Sequence, residues 1–136
     1  MPGVTLYSTS TDSQGQELQQ AIRAAISPEP LRVVSQAGEL IEALSRRVAK
    51  GVVVLAPSDG EDLGVLYDLS AWLWNSDVLL LLPDSEGGRL ASDLRELSPR
   101  VVLRRELASE HIANIVSRLL QRSQRRAAAW SSLEAG

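Results

Sequence analysis

An apolar segment that leads directly into a polar turn constrains the fold of this chain more than any other feature. Residues Val52–Ala56 are all apolar, and the next four residues, 57–60, are Pro, Ser, Asp and Gly, which favour a turn. Mainly apolar segments recur at 4–8, 78–82 and 101–103, each followed by a segment of helical period. A short apolar run bounded by turn residues is typical of a strand buried on both faces. The pattern predicts an α/β fold, in which functional groups lie where the strands end.

Five strand–helix units account for most of the sequence. We predict strands at 4–8, 31–34, 52–56, 78–82 and 100–103. The helices between and after them carry apolar residues at a spacing of three or four, which indicates one buried face for each helix. For the first, second and fifth helices the predicted buried residues are Leu18, Ile22 and Ile26; Leu40, Ile41, Leu44 and Val48; and Ile112, Ile115, Val116, Leu119 and Leu120.

The alternation of strands and helices predicts one domain, a doubly wound, five-stranded parallel sheet with five helices. The strand order 2-1-3-4-5 places the apolar strands 1, 3 and 4 at the centre and the second strand, which carries Arg32, at an edge. Right-handed connections then put the first and fifth helices on one face and the other three on the opposite face. We predict this α/β domain over residues 1–126 and a loose C-terminal tail over 127–136.

Composition narrows the classes of function. The net charge of −3 argues against non-specific binding of nucleic acid by the whole domain. The sequence has no cysteine, which excludes a disulfide, a thiolate metal site and a cysteine nucleophile. The longest charge-free apolar run is far shorter than the roughly 20 residues of a membrane span. Because the sequence also lacks the basic and then apolar start of a secretory signal, we expect a cytoplasmic protein that does not bind membranes.

The order of the elements and the mid-chain position of the third strand resemble the receiver domain of bacterial response regulators, over residues 4–122. The resemblance implies a flavodoxin-like fold. In an intact receiver it also implies transfer of a phosphoryl group to an aspartate at the end of strand 3. It further implies an acidic pair after strand 1 that holds Mg²⁺, a Ser or Thr after strand 4 and a lysine after strand 5.

The two acidic sites of the receiver pattern have no acid in this sequence. The acidic pair would fall at Ser8 and Thr9, which cannot supply the anionic oxygens that Mg²⁺ prefers. The phosphoryl acceptor would fall at Ala56 or Pro57, neither of which has a nucleophilic oxygen in its side chain. These positions predict a receiver-like chain that does not use Mg²⁺ or phosphoryl transfer.

The remaining two receiver positions differ as well. The hydroxyl position falls near Pro83, and the lysine position falls at Arg104 and Arg105, which keep a positive charge but not the compact ammonium group. Together the four departures predict a degenerate receiver that is not phosphorylated and has no cofactor.

Other candidate chemistry is sparse. Asp59 and Asp84 follow strands 3 and 4, where they either form a displaced divalent-cation site or remain solvated loop residues. His111, beside Glu110, has no nucleophile pattern nearby, and no phosphate-binding glycine motif follows any strand. We therefore predict no catalytic, cofactor-binding or metal-ligating residues.

The third predicted helix, residues 61–75, here called the central helix, has too few polar residues for a surface helix. Trp72 and Trp74 are two residues apart, so they point about 200° away from each other and cannot share one buried stripe. Trp74 falls on one flank with Tyr67, and Trp72 falls on the other with Val65. Either neighbouring helices cover both flanks, or these four residues form a protein interface, which we favour because Trp and Tyr anchor such surfaces.

The fifth predicted helix carries a basic stripe near its C-terminal end, formed by Arg118, Arg122, Arg125 and Arg126. Cations at this end of a helix complement the helix dipole and keep the chain soluble. The alternative interpretation is a docking stripe for an acidic partner or a nucleic acid.

These observations favour a non-enzymatic, receiver-like module of bacterial two-component signalling. It would act through contact with a protein partner or as a homodimer, without a phosphoacceptor site. One alternative is a flavodoxin-like domain that binds a nucleotide or another small ligand at the strand ends. A small enzyme is the other alternative, and it is disfavoured because no nucleophile and base form a recognisable pair.

Overall fold

A computed structural model describes residues 3–8, 13–27, 29–45, 51–56, 77–82, 100–104 and 107–135 of the chain. The strands in these ranges are β1 (Val4–Ser8), β2 (Leu31–Val34), β3 (Val52–Ala56), β4 (Asp77–Leu82) and β5 (Val101–Arg104). The helices are α1 (Ser13–Ile26), α2 (Ala37–Ser45) and a long C-terminal helix (Ser109–Ala135). The central helix, the fourth predicted helix and the predicted end of the second lie outside the described residues.

The five strands form one sheet in the order β2-β1-β3-β4-β5, and every neighbouring pair is parallel. This confirms the predicted topology. Three strands have the predicted bounds, and β4 and β5 differ from prediction by one residue. The chain turns back between β2 and β3, because β1 to β2 runs toward one edge of the sheet and β3 to β5 runs toward the other. The carboxyl ends of β1 and β3 are consequently neighbours at the centre of the sheet.

One face of the sheet packs against α1 and the C-terminal helix. Strand residues alternate between the two faces, and this face takes every second residue of the central strands. Its buried cluster draws on three strands and two helices: Val4 and Leu6 from β1; Val52, Val54 and Ala56 from β3; Leu79 and Leu81 from β4; Leu18, Ile22 and Ile26 from α1; and Ile112, Ala113, Val116, Leu119 and Leu120 from the C-terminal helix. The predicted apolar stripes of the first and fifth helices are buried as expected, except that Ile115 is only partly buried.

The opposite face is equally apolar at its centre. Val53, Leu55 and Leu80 have no exposed surface there, and Tyr7 is buried beside them. The helix α2 buries Leu40, Ala43 and Leu44, while Ile41 is half-buried. Two adjacent crossovers that run in opposite directions along a sheet place their helices on opposite faces, which explains why α1 and α2 differ in this respect.

A buried carboxylate lies at the amino-terminal ends of the strands, where it pairs with an arginine. Asp77, at the start of β4, accepts a hydrogen bond from Arg100 Nε to its Oδ1 at 3.1 Å, and the two side chains form an ion pair. The backbone N–H of Asp77 also donates to the carbonyl of Gly51 at 2.9 Å, and that of Arg100 donates to Val78 at 2.8 Å. These contacts join the amino-terminal ends of β3, β4 and β5, on the side of the sheet opposite the carboxyl ends of the strands.

The C-terminal helix continues to Ala135, whereas the sequence analysis predicts a loose tail over 127–136. No Gly or Pro interrupts residues 109–135, and the three alanines at 127–129 have the highest helix propensity of any residue. With a rise of about 1.5 Å per residue, the 27-residue helix is roughly 40 Å long, about twice the length of the 14-residue α1. The domain boundary at residue 126 stays a prediction. Among the described helices, none has an apolar stretch that could cross a bilayer.

Candidate functional site

The central strands end side by side at the carboxyl edge of the sheet, where an α/β fold places its functional groups. In the parallel register of β1 and β3, Ser8 lies opposite Ala56. Neighbouring strands are about 4.8 Å apart, so these two residues occupy one small area of this edge. Ser8 is 5% exposed and Ala56 is fully buried. The pair offers one neutral hydroxyl and no carboxylate, which gives a divalent cation little to bind.

The one cationic residue described at this edge lies further along the sheet. Arg104 ends β5, pairs in register with Leu82 of β4, and is exposed. Its carbonyl accepts a hydrogen bond from the backbone N–H of Leu107 at 3.2 Å, which begins the turn into the C-terminal helix. Since β4 lies between β3 and β5, Arg104 is about two strand spacings, or roughly 10 Å, from Ala56. The edge thus combines a small neutral centre with a positive charge at its side.

Several predicted site residues lie outside the described residues. They are Thr9, Pro57, Asp59, Pro83, Asp84 and Arg105, together with Val65, Tyr67, Trp72 and Trp74 of the central helix. Among the residues that the structure does describe, no group of three His, Cys, Asp or Glu side chains could hold a metal ion. Neither of the two described cavities is lined by Ser8 or Ala56.

The larger described cavity is an open groove of about 800 Å³ between α1 and the C-terminal helix. Half of its ten lining residues are alanines, and the other half are polar or charged. The lining residues are Glu17, Gln20, Ala21, Ala24 and Ala25 from α1 and Ala108, Ser109, Glu110, Ala113 and Asn114 from the C-terminal helix. Here we call the exposed surface of these two helices, including the groove, the α1–C-terminal face.

Charge is distributed unevenly along the α1–C-terminal face. Glu17 and Glu110 line the groove near the carboxyl edge of the sheet, and both are exposed. At the opposite end, Gln124 Nε2 donates to Glu29 Oε1 at 3.3 Å, which holds the C-terminal helix beside the end of α1. Both helices run in the same direction, so the exposed Glu17 and Glu110 lie together at one end, while the half-buried Glu29 lies at the other end with Gln124 as its partner.

The predicted basic stripe lies in the middle of the C-terminal helix and not near its end, because the helix continues to Ala135. Arg118, Arg122 and Arg125 are all exposed, and they follow one another along the C-terminal helix. The helix includes Arg126, whose side chain is outside what the structure describes. Within the described part of the chain, no ion pair joins Arg118, Arg122 or Arg125 to an acid.

Sequence reasoning missed the groove. The buried stripe of each helix is evident from its apolar residues, but the alanines on the outer side of α1 were not predicted to have a role. Ala21, Ala24 and Ala25 nevertheless recur at helical spacing. A second run of small residues near Ser109 was a matching signal. What the sequence lacked was the pairing of two helices that are more than 80 residues apart, which only the sheet topology supplies.

The fold is that of response-regulator receiver domains. A signal receiver domain of an HD domain-containing protein from Pseudomonas fluorescens Pf-5 superposes with a TM-score of 0.70 and 18% identity, covering 93% of this chain and 91% of that one. A response regulator from Colwellia psychrerythraea gives a TM-score of 0.65 at 12% identity, with 89% and 98% covered. A CheY-like response regulator receiver domain protein from Methanospirillum hungatei JF-1 gives 0.56 at 13% identity, with 91% and 98% covered.

The similarity to receiver domains is much weaker in sequence than in structure. No protein-family model matches the chain, and no curated protein is similar to it in sequence. At identities of 12–18% the solved structures share the fold with this chain. The function therefore has to be argued from its own residues.

Proposed function

We propose that this chain is a non-enzymatic signalling module that uses the receiver fold without phosphorylation and acts by contact with a protein partner. The observation that carries the proposal is the pairing of Ser8 with Ala56 at the carboxyl ends of the two central strands. In a receiver this is the region of the acidic pair and the acceptor aspartate. Here the described side chains are a hydroxymethyl and a methyl group.

The chemistry of phosphoryl transfer explains why this substitution matters. Transfer to a carboxylate requires a nucleophilic oxygen, and Mg²⁺ must neutralise the charge on the phosphoryl oxygens. A serine hydroxyl has no negative charge to hold the cation, and alanine has no oxygen to accept the group. A fold that keeps its sheet and helices but lacks these groups retains the receiver's surfaces. Binding through those surfaces is the function that this supports.

We expect acetyl phosphate or beryllium fluoride, each with Mg²⁺, to leave the protein unchanged. Intact mass should show no added phosphoryl group, and the melting temperature should be the same with and without the reagents. The physical reason is that Ser8 and Ala56 provide neither the cation site nor the acceptor. A receiver domain with an acidic pair and an acceptor aspartate, treated in parallel, serves as the positive control.

A stable mass increase by one phosphoryl group would contradict the proposal, and peptide mapping would locate the acceptor. Label on Asp59 or Asp84 would reveal a displaced site at the ends of strands 3 and 4. The same melting assay with ATP, GTP and flavin mononucleotide tests the small-ligand alternative. A saturable rise in melting temperature with one of them would favour that alternative over a protein partner.

The central helix is the proposed contact for a protein partner, through Val65, Tyr67, Trp72 and Trp74. We expect Trp72→Ala and Trp74→Ala each to weaken capture of the partner, or self-association, by tenfold or more. A fully buried large apolar side chain contributes about 1.5–3 kcal/mol, and tenfold in affinity is about 1.4 kcal/mol. Sedimentation velocity and pull-down with the purified partner measure the change.

Val102→Ala is the control, since it truncates an apolar side chain that is 43% exposed on β5, outside the central helix and the two helices of the α1–C-terminal face. If Trp72→Ala and Trp74→Ala bind as well as the parent while their unfolding free energies fall, the two indoles belong to the core and the contact lies elsewhere.

A further inference from the structure

We propose that the α1–C-terminal face is a self-association surface, on which a second copy of this chain docks in antiparallel orientation about a two-fold axis. The inference rests on the proposed function, because it names a second copy as one protein that the module contacts. It accounts for the basic stripe, which the receiver resemblance leaves without a role. The experiment below separates its failure from failure of the proposed function.

Complementary charge is the first argument. Glu17 and Glu110 are exposed at the end of the face near the carboxyl edge of the sheet, and Arg122 and Arg125 are exposed further along the C-terminal helix, near the end of α1. A face with opposite charges at its two ends matches its own copy when the copy is turned end to end. A two-fold axis performs that operation, and each contact then occurs twice. A parallel arrangement would instead place the arginines of the two copies against one another.

The spacing along the C-terminal helix fits such an axis. Glu110 and Arg125 are 15 residues apart, which is about 22 Å along the helix, and they differ by only about 60° around it. Asn114 and Gln121 lie between them within the same arc, and the half-buried Ser117 lies about 20° outside it. With the axis between positions 117 and 118, Glu110 of one copy faces Arg125 of the other and Asn114 faces Gln121. Opposite charges meet at both ends and Asn114 meets Gln121, while the exposed Arg118 lies beside the axis, about 20° outside this arc.

The groove allows the two copies to approach closely. Five of its ten lining residues are alanines, which occupy less space than larger side chains would and leave room for a third helix. The antiparallel arrangement lays the middle of the partner's C-terminal helix over this groove, with its Arg125 opposite Glu110 and its Arg122 opposite Ala113. The length of the helix makes this possible, since it continues to Ala135 and does not end where α1 does.

Charge exchange tests the pairing with the full-length chain. Sedimentation equilibrium should give a dimer that weakens by tenfold or more in Glu110→Arg and in Arg125→Glu, since each change replaces two attractions by two repulsions. The double variant Glu110→Arg/Arg125→Glu should recover the dimer, because it restores both pairs with reversed sign. Glu39→Arg on α2 and Arg32→Glu on β2 are matched controls with the same charge changes elsewhere, and they should associate as the parent does.

A cross-link tests the position of the axis independently. The natural sequence has no cysteine, so one introduced thiol reports a single site. Mild oxidation of Ser117→Cys should give a disulfide-linked dimer, since this position lies beside the axis in both copies. Ser45→Cys at the end of α2 is the control, and it should remain monomeric in a non-reducing gel because the exposed thiols of two copies would be far apart.

Three results would overturn the inference. The first is a parent that stays monomeric at millimolar concentration. In the second, a dimer persists in both single charge variants, which would assign self-association to another surface such as the central helix. The third is a double variant that is folded by circular dichroism but stays monomeric. None of these bears on phosphorylation, so the proposed function would stand or fall separately on the acetyl phosphate experiment.

Discussion

Leu79→Ala is expected to lower the free energy of unfolding by about 3–4 kcal/mol, in the range of large-to-small changes in a rigid core. Leu79 is fully buried in β4, where it pairs in register with Val54 of β3 and Val101 of β5. The sheet holds its backbone on both sides, so little of the resulting cavity can collapse. Urea denaturation with a fixed slope measures the change, and the loss is large against the roughly 5–15 kcal/mol that stabilises a domain.

Leu107→Ala is the matched control, because it removes the same atoms from a side chain that is 38% exposed. Its cost should stay below about 1 kcal/mol, as for surface changes in general. Equal losses in the two variants would mean that β4 is not at the centre of the core. The order β2-β1-β3-β4-β5 would then be in doubt.

The sheet could be predicted because the central strands consist mainly of consecutive apolar residues, which indicates burial on both faces. Val52–Ala56 has no polar residue to place on a solvated side, and the structure gives it no exposed surface at any position. The second strand carries Arg32, and it lies at the edge, where that side chain is exposed. Once these two strands are assigned, right-handed connections leave few orders for the sheet. Periodicity then sufficed to identify the buried faces of α1 and the C-terminal helix.

The end of the last helix was not predictable by the same means. Beyond Ser123 the apolar periodicity fades, and a pattern without a buried stripe usually indicates a loop or tail. The backbone nevertheless stays helical to Ala135, since no residue after Ser109 breaks a helix and three consecutive alanines favour one. Burial patterns predict where a helix packs, whereas propensity decides how far it continues.

The candidate sites differ in the same way. The carboxyl edge of the sheet was located from sequence because strand ends follow from strand order, and Ser8 and Ala56 meet there. The groove could not be located from sequence, because an alanine such as Ala24 or Ala113 is common in any helix. The two residues line a groove only because the two helices pack side by side. Likewise, the hydrogen bond between Glu29 and Gln124 joins residues 95 positions apart. Local patterns contain no information about such contacts.

Ala56→Asp is expected to cost about 3 kcal/mol or more at neutral pH, although it places a carboxylate at a position where receivers carry their acceptor. Ala56 is fully buried at the end of β3, and its register neighbour Ser8 is a neutral residue that is itself buried. A buried charge without a partner is unfavourable by several kcal/mol, and extra volume in a packed core adds to the loss. Chemical denaturation at neutral pH measures the change.

Ala56→Asn separates the charge from the volume, because its amide is nearly the same size as the carboxylate. We expect the Asn variant to be the more stable of the two at neutral pH. The difference in the free energy of unfolding between the two variants should narrow as the pH falls toward about 4, since burial raises the pKa of the introduced carboxyl and its protonation removes the charge.

Millimolar Mg²⁺ should stabilise neither variant, because one carboxylate beside a serine hydroxyl is a poor magnesium site. If Mg²⁺ with beryllium fluoride raised the melting temperature of Ala56→Asp but not of Ala56→Asn, the edge would retain a working cation site. The chain would then keep more of the receiver's chemistry than its four departures predict, and the proposal of a phosphorylation-independent module would have to be withdrawn.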